Sequence, residues 1–368
     1  MRKLGISIFV TVFILISVIA LFGATPPSTP VHASHANWVK EYESWEKRTY
    51  EAAKKEGKAV WYTGESKDCT DAMVDAFGKK YPGVKLEIQS GRGTQVSARI
   101  TTEQDAKKVL GDLLSTGLSV LRPMATEDRS KYFIPPAIKE PGVKWLVDPL
   151  REQDNFKGKP FPMVLAADPR GMIINTKLVP PEKGPKGWQS LLDPWWKGKI
   201  ISDDPRASGS ANKEWFWMRE IYGEEFWRKL AAQNIAIEKS LEICSRAVAT
   251  GEYYVSLSLG PREFIDIGGS PTKFVVPSEG TVLVEISVFI VNGSPHPNAA
   301  ELFMNFLYTK AGQDVFGTTG SRTPLRADAK LKYPEQNLVG LKLLATTMQQ
   351  DATGVVQTRK DVKKYLGE

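Results

Sequence analysis

Apolar residues recur along the chain with two alternating periods, and the alternation predicts its elements. Trp38, Tyr42 and Trp45 fall at helical spacing, and Gly57 stops the helix they predict. Ala59 to Tyr62 reads as a short strand that runs into a polar loop, Thr63-Gly64-Glu65-Ser66. Asp68 or Thr70 is the expected cap of the next helix, whose buried face carries Met73 and Phe77. After a Pro82-Gly83 turn, Val84, Leu86 and Ile88 alternate as a strand. Ser90-Gly91-Arg92-Gly93 makes a loop, and Thr94 opens a helix to about Lys108. Leu110 to Leu114 is a strand, followed by Ser115-Thr116-Gly117. Repeated strand–loop–helix units predict a parallel sheet with helices on its faces. In such sheets ligands bind at loops beyond the carboxyl ends of strands, here 63–66, 90–94 and 115–117.

Residues 135–159 are rich in breakers and show no period. A second series starts at the strand Gly171 to Asn175. A Pro/Gly loop, a helical turn at Trp188 to Leu192 and a strand from Lys197 to Ile201 follow. Asp203, Asp204 and Pro205 end that strand, and adjacent acids on extended backbone point opposite ways, which predicts a surface turn. Ser208-Gly209-Ser210 then precedes a helix with Trp215, Met218 and Ile221 at core spacing. A helix start offers free N–H groups and partial positive charge, so this is either an anion seat or a serine-capped helix without a ligand. Further helices are expected over Glu224 to Ala232 and from a Ser240 cap to Gly251. Strands are expected at Ile235 to Ile237, Tyr254 to Leu259, Phe274 to Val276 and Val282 to Val291. Pro295-His296-Pro297-Asn298 caps a helix with Leu302, Phe303 and Phe306 on its core face, and the tail beyond Pro324 reads as helical and charged.

Composition narrows the class. A chain of 368 residues, 42% hydrophobic and 25% charged, suits a soluble globular protein of two domains. Residues 1–36 differ: Arg2 and Lys3 precede an apolar run from Leu4 to about Phe22, and Ala33 and Ala36 offer cleavage points. This is read as an export signal, with an uncleaved anchor as the alternative. Losing its two cations takes the formal charge from +7 to +5. That excess is spread out, with no Lys/Arg block to suggest nucleic acid. Cys69 and Cys244 are expected to be buried and unpaired. The chain has no G-x-S-x-G, P-loop, G-x-G-x-x-G, H-E-x-x-H or C-x-x-C, and His296 is the one histidine beyond the signal region. A Ser–His–Asp triad and a zinc site are thereby disfavoured, and neither an enzyme nor a cofactor is expected.

Seven stretches in order resemble one family: EAAKKEGKAVWYTG (51–64), FGKKYPGVKLEIQSGRGTQVSARITTE (77–103), MIINTKLV (172–179), WQSLLDPWWKGKIISDDP (188–205), ATGEYYV (249–255), VPSEGT (276–281) and SPHPNAAELFMNFLYTKAGQ (294–313). They look like the periplasmic substrate-binding proteins of ABC importers, in the branch of the ferric-ion-binding and phosphonate-binding proteins. The resemblance covers most of residues 50–325. It implies an α/β fold of type II, two lobes that are each a mostly parallel sheet flanked by helices. Lobe one would hold residues 37–170 and 286–322, and lobe two 171–284 and 327–368, with hinge crossings near 171, 282–287 and 321–326. It also implies a monomer that closes on a ligand and docks on the transmembrane subunits of an ABC permease.

The same resemblance sets expectations for the ligand. Ferric-ion binders place a His near the position of Ser66, a Glu near Thr94-Gln95 and paired tyrosines where this chain has Pro261-Arg262. Tyr253-Tyr254 sits too early to replace them. An anionic small molecule is therefore expected: a phosphonate, a phosphate ester or a carboxylate. Arg92 and Arg262 are the candidate oxyanion forks, with Arg206 and Arg170 as second choices. Thr63, Ser66, Thr94, Ser115, Thr116, Ser208, Ser210 and Ser240 supply hydroxyls, and Gly93 and Gly209 supply open backbone. Glu65 and Glu279 would hold an amino or hydroxyl group of the ligand. The alternatives are a metal held by Glu65, Asp203, Asp204 or Glu279, and a binding protein coupled to a sensor.

Overall fold

The computed structural model describes residues 31–206, 209–345 and 348–367. The apolar run of the expected export signal lies outside them. The chain begins with α1 (Val31–Glu56), β1 (Lys58–Thr63), α2 (Lys67–Lys80), β2 (Lys85–Ser90) and α3 (Gly93–Asp105). β3 (Leu113–Gly117), α4 (Leu118–Thr126), β4 (Ser130–Lys131), α5 (Gln153–Phe156) and β5 (Met163–Pro169) follow. Next come β6 (Gly171–Asn175), β7 (Ile200–Asp203), α6 (Gly209–Ala231), β8 (Ala236–Glu238), α7 (Leu241–Thr250) and β9 (Val255–Leu259). The last elements are α8 (Pro261–Asp266), β10 (Thr272–Val275), β11 (Thr281–Val291), α9 (Pro297–Tyr308), α10 (Lys310–Thr319), β12 (Leu343–Leu344) and α11 (Met348–Leu366). Among the described residues, no helix is long and apolar enough to cross a membrane.

The strands form two sheets, as the two-lobed expectation requires. The first has the order β12-β11-β3-β1-β2, with β4 and β5 also on β11, and the second β10-β6-β9-β7-β8. The expectation of mostly parallel sheets needs correction. β1 is parallel to β2 and β3, and β7 to β8 and β9. β11, however, runs antiparallel to β3, β4 and β5, and β6 antiparallel to β9 and β10. β11 is parallel to β12, and a single residue, Arg170, separates β5 in the first sheet from β6 in the second. β11 also serves both cores, with Val282 in the second and Val288 and Ile290 in the first.

Local differences follow from long-range pairing. Ser115-Thr116-Gly117 lies within β3, because Val288, Ser287 and Ile286 of β11 pair with those residues and extend the strand. Ser66 caps α2, accepting from the Cys69 N–H at 3.4 Å, whereas the Thr70 hydroxyl donates back to the Lys67 carbonyl. Asp203 and Asp204 are buried at 4% and 3% exposure, so they make no surface turn. Gly223, at φ 75°, splits α6 into the two helical stretches expected from sequence. Cys69 and Cys244 are both buried and unpaired, and burial pushes each thiol up to about 12.

Aromatic side chains centre both cores. Phe303 meets Trp61 and Phe77 edge-on, with ring centres 5.2 and 5.1 Å apart. In the second core Trp215 meets Trp227 at 4.7 Å. Phe303 has no exposed surface, so Phe303→Ala loses both its transfer free energy and its packing. The expected cost is about 3–5 kcal/mol, measured by urea denaturation. A cost below about 1 kcal/mol would mean that the cavity collapses.

Candidate functional site

The carboxyl ends of β1, β2 and β3 bring one set of loops together. Thr63 and Ser115 are fully buried and bond each other, Ser115 Oγ donating to Thr63 Oγ1 at 2.8 Å. Trp61 Nε1 donates to Ser115 Oγ at 2.9 Å, which fixes that pair from below. A Cβ added at Gly93 would run into Thr116 Oγ1, and one at Gly64 would lie 3.2 Å from the Gly91 carbonyl oxygen. Gly64, Gly91, Gly93 and Thr116 therefore line one surface at the start of α3. Arg92 and Thr94 are exposed there, and the Arg92 N–H donates to Gln95 Oε1 at 3.1 Å. Among the described residues, the Arg92 guanidinium has no carboxylate partner. Ser66 Oγ reaches Ser321 Oγ at 3.3 Å in addition to its capping bond.

Glu65 is committed to a buried network. Arg322 Nε lies 3.0 Å from both Glu65 oxygens, and Ser321 Oγ donates to Oε2 at 2.9 Å. Arg322 Nη1 donates to Asp168 Oδ2 at 2.8 Å, and the Thr323 N–H donates to Oδ1 at 2.9 Å. Burial alone would lower the Arg322 pKa, but the two carboxylates more than reverse it and raise it further. Sequence reasoning gave Arg322 and Asp168 no role, although both stand at expected crossings.

The second set of loops follows β7, β8 and β9. Arg206 is tied to Asp204, with Nε at 2.9 Å and its own N–H at 2.8 Å from Oδ1. Burial works against the Asp204 charge, yet Arg206 holds the carboxyl below its usual range. Ser208 lies outside the described residues. Gly209 is exposed at the start of α6, and Ser210 is buried one residue on. Ser240 caps α7, accepting from the Ile243 N–H at 3.4 Å. Beside it opens a cleft of about 700 Å³, lined by Asp203, Lys239, Ser240, Glu263 and Asp266 among others. Arg262 is half-buried, and its carboxylate contact, Asp266, lies 3.9 Å away. Arg170 Nη1 and the Gly260 N–H share Glu263 Oε2 at 2.9 and 2.8 Å. Glu279 bonds Tyr222 Oη at 2.5 Å and the Gln189 N–H at 3.3 Å, within its own half of the molecule. Among the described residues, no three His, Cys, Asp or Glu side chains cluster as a metal shell.

Glu214, which sequence reasoning also passed over, is wholly buried in α6 and accepts from Trp188 Nε1 at 2.9 Å. Desolvation pushes its carboxyl up to about 7, against the opposing pull of Ser258, Trp188 and Arg170. A glutamate at core spacing beside Trp215 was the available signal.

The family of bacterial extracellular solute-binding proteins matches residues 144–340. An uncharacterized protein of Haemophilus influenzae is 24% identical over 326 residues, covering 86% of this chain and 92% of that protein. The thiamine-binding periplasmic protein of Salmonella typhimurium is 30% identical over 155 residues, 40% of this chain and 46% of that protein. Among solved structures, the periplasmic binding protein AfuA of Actinobacillus pleuropneumoniae, with fructose-6-phosphate bound, has a TM-score of 0.63 and 21% identity, covering 84% of this chain and 98% of that one. Iron-bound HitA of Pseudomonas aeruginosa has a TM-score of 0.66 and 20% identity, covering 83% and 99%. These likenesses show the two-lobed periplasmic-binding fold.

Two outcomes are expected from the buried charges. Arg322→Met leaves Glu65 and Asp168 buried without their cation, and chemical denaturation at pH 7 is expected to show a loss of about 3–5 kcal/mol. For Glu214, the folded carboxyl holds its proton up to about 7, above its ordinary value of 4.5. The folded state thus binds more protons between those values, and stability falls as pH rises through that window. Relative to Glu214→Gln, the wild-type chain is expected to lose about 3 kcal/mol between pH 4 and 8. Equal pH slopes for the two proteins would contradict this.

Proposed function

The chain belongs to the bacterial extracellular solute-binding proteins, which bind small ligands and work with ABC permeases, and from that premise we propose that its ligand is an anionic small molecule. Its family binds solutes without transforming them, so recognition is the whole of its chemistry. The proposed lobes are residues 37–170 with 286–322, and 171–284 with 327–368. The turn at Arg170 and the long strand β11 support crossings at 171 and 282–287, and the 321–326 segment joins them through the bond from Ala167 N–H to the Thr323 carbonyl.

One observation carries the ligand class. Arg170, Arg206 and Arg322 are each bonded to a carboxylate at 2.8–3.0 Å. Arg92 has no such partner among the described residues, and Arg262 meets Asp266 only at 3.9 Å. Two guanidinium groups thus remain for a phosphate, phosphonate or carboxylate, for which their planar forks are suited. Thr116 and Ser210 are the proposed hydroxyl partners, with Ser208 between Arg206 and Gly209. Closure follows if ligand contacts from both lobes favour the closed form, by no more than their differential affinity for it. The fructose-6-phosphate of AfuA fits this chemistry. The thiamine of the Salmonella relative favours a second reading, a cationic ligand, to which the carboxylates of Asp203, Glu263 and Asp266 around the cleft lend support.

A melting-temperature screen of the exported chain separates the two. The panel holds phosphonates, fructose-6-phosphate, carboxylates, thiamine and ferric citrate. A ligand at a hundred times its Kd stabilises by about 2.7 kcal/mol. A shift with an anion that is lost in Arg92→Ala or Arg262→Ala is the expected outcome. A shift with thiamine or iron alone would overturn the anionic reading.

A further inference from the structure

Glu285 sits where β11 passes from one core to the other. Val282, three residues before it, belongs to the second core, and Val288, three residues after it, to the first. It falls between the proposed lobes, one of which ends at 284 while the other resumes at 286. The backbone pairing is irregular beside it. Glu285 faces Ala167 of β5 and Ile286 faces Ala166, but Ser287 faces Val164, which leaves Leu165 as an extra residue on β5. A bulge bends a strand and interrupts its ladder, so this pairing fixes the direction of the crossing less firmly than an unbroken ladder would.

The Glu285 side chain spans the same crossing. Its Oε1 accepts from Arg151 Nη1, and its Oε2 accepts from Lys213 Nζ at 3.1 Å. Arg151 belongs to proposed lobe one and Lys213 to lobe two, so one carboxylate binds a cation from each. The Glu285 side chain is 5% exposed, against 20% for Arg151 and 22% for Lys213. A carboxylate buried so deeply loses heavily when a bonded cation is removed.

The series of charges continues to both sets of candidate loops. Arg151 Nε lies 4.0 Å from Glu152 Oε1, and Glu152 takes two bonds of 2.8 Å from Arg122 of α4. α4 starts directly after Ser115-Thr116-Gly117. At the other end, Lys213 lies three residues after Ser210 in α6, and helix positions three apart are neighbours on one face. Arg122, Glu152, Arg151, Glu285 and Lys213 thus alternate in sign from the helix behind Thr116 to the start of α6.

We propose that Glu285 is a positioning residue for the solute site: by holding Arg151 and Lys213 at once, it sets the first turn of α6, and Ser210 with it, at a fixed distance from the loop at Thr116. The inference rests on the reading of two lobes with Thr116 and Ser210 as ligand partners. It gives Glu285 no contact with the solute. A solute that meets both loops then meets them already spaced, which lowers the ordering cost of binding.

Spin labels read this tether in the full chain without any ligand. Asp75 of α2 and Lys273 of β10 are exposed, so Asp75→Cys and Lys273→Cys carry one label each, while Cys69 and Cys244 are buried. Double electron–electron resonance is expected to give one dominant distance, and Glu285→Gln and Lys213→Met to lose it to a broader distribution. Lys213→Arg keeps a cation within reach of Oε2 and is expected to retain the dominant distance. Arg219→Met breaks a pair with Asp361 that lies within proposed lobe two. It is expected to lower the melting temperature and leave the distance alone, which separates positioning from a general loss of stability. If Glu285→Gln does not fold, Lys213→Met serves, since Lys213 is partly exposed on α6. A dominant distance that survives in Lys213→Met, or is lost equally in Lys213→Arg or Arg219→Met, overturns the proposal and leaves the ligand reading standing. A melting-temperature panel in which nothing shifts would overturn the ligand reading and leave the distances standing.

Discussion

Arg322 holds three remote parts of the chain with one side chain. Its guanidinium meets Glu65 after β1 and Asp168 at the end of β5, and it leaves a third segment, 321–323, pinned between them. Each carboxylate is buried, and the arginine supplies each with a bonded partner inside the protein. The consequence is positional. The polar loop of the first sheet is tied to the end of β5, and three residues beyond Asp168 the chain enters the second sheet. The place where the polar loops of the first sheet gather and the place where the chain changes sheet are one connected piece of electrostatics.

Around that piece, the arginines divide by use. Those beside the crossing are consumed by carboxylates, and their bonds are short and buried. Those at the rims, Arg92 and Arg262, keep most of their charge available. The carboxylates are likewise uneven: Glu65, Asp168 and Asp204 are bound to arginines, whereas Glu214 has an indole N–H and an unfilled oxygen. The fixed pairs shape the loops, and the rim arginines keep guanidinium groups that no carboxylate closely engages.

The parts legible in the sequence are those governed by near neighbours. Helical spacing of apolar residues located α1 and α2, Ser240 was found as a cap, and Gly223 divided α6 as expected. What escaped depends on residues far away. β5 is buried at every position, so it carries no alternation, and it sits just after a stretch of breakers. The extent of β3 is set by β11, more than 160 residues later. Glu65 looked like a free ligand contact because its partner is 257 residues on. Asp203 and Asp204 suggested a surface turn because sequence alone does not show Arg206 folding back onto the second of them. Resemblance to a family filled part of this gap, giving the two-lobed plan, but the strand directions at the crossing needed the structure.

β11 has a consequence for how the gene can change. Its eleven residues run through both cores, ten of them buried. Inserting or deleting one codon there would turn every following side chain to the opposite face of the sheet, and two hydrophobic cores would be disturbed together. Length variation among descendants of this sequence should therefore collect in the irregular stretch near residues 135–159 and in the tail, while β11 drifts only by substitution.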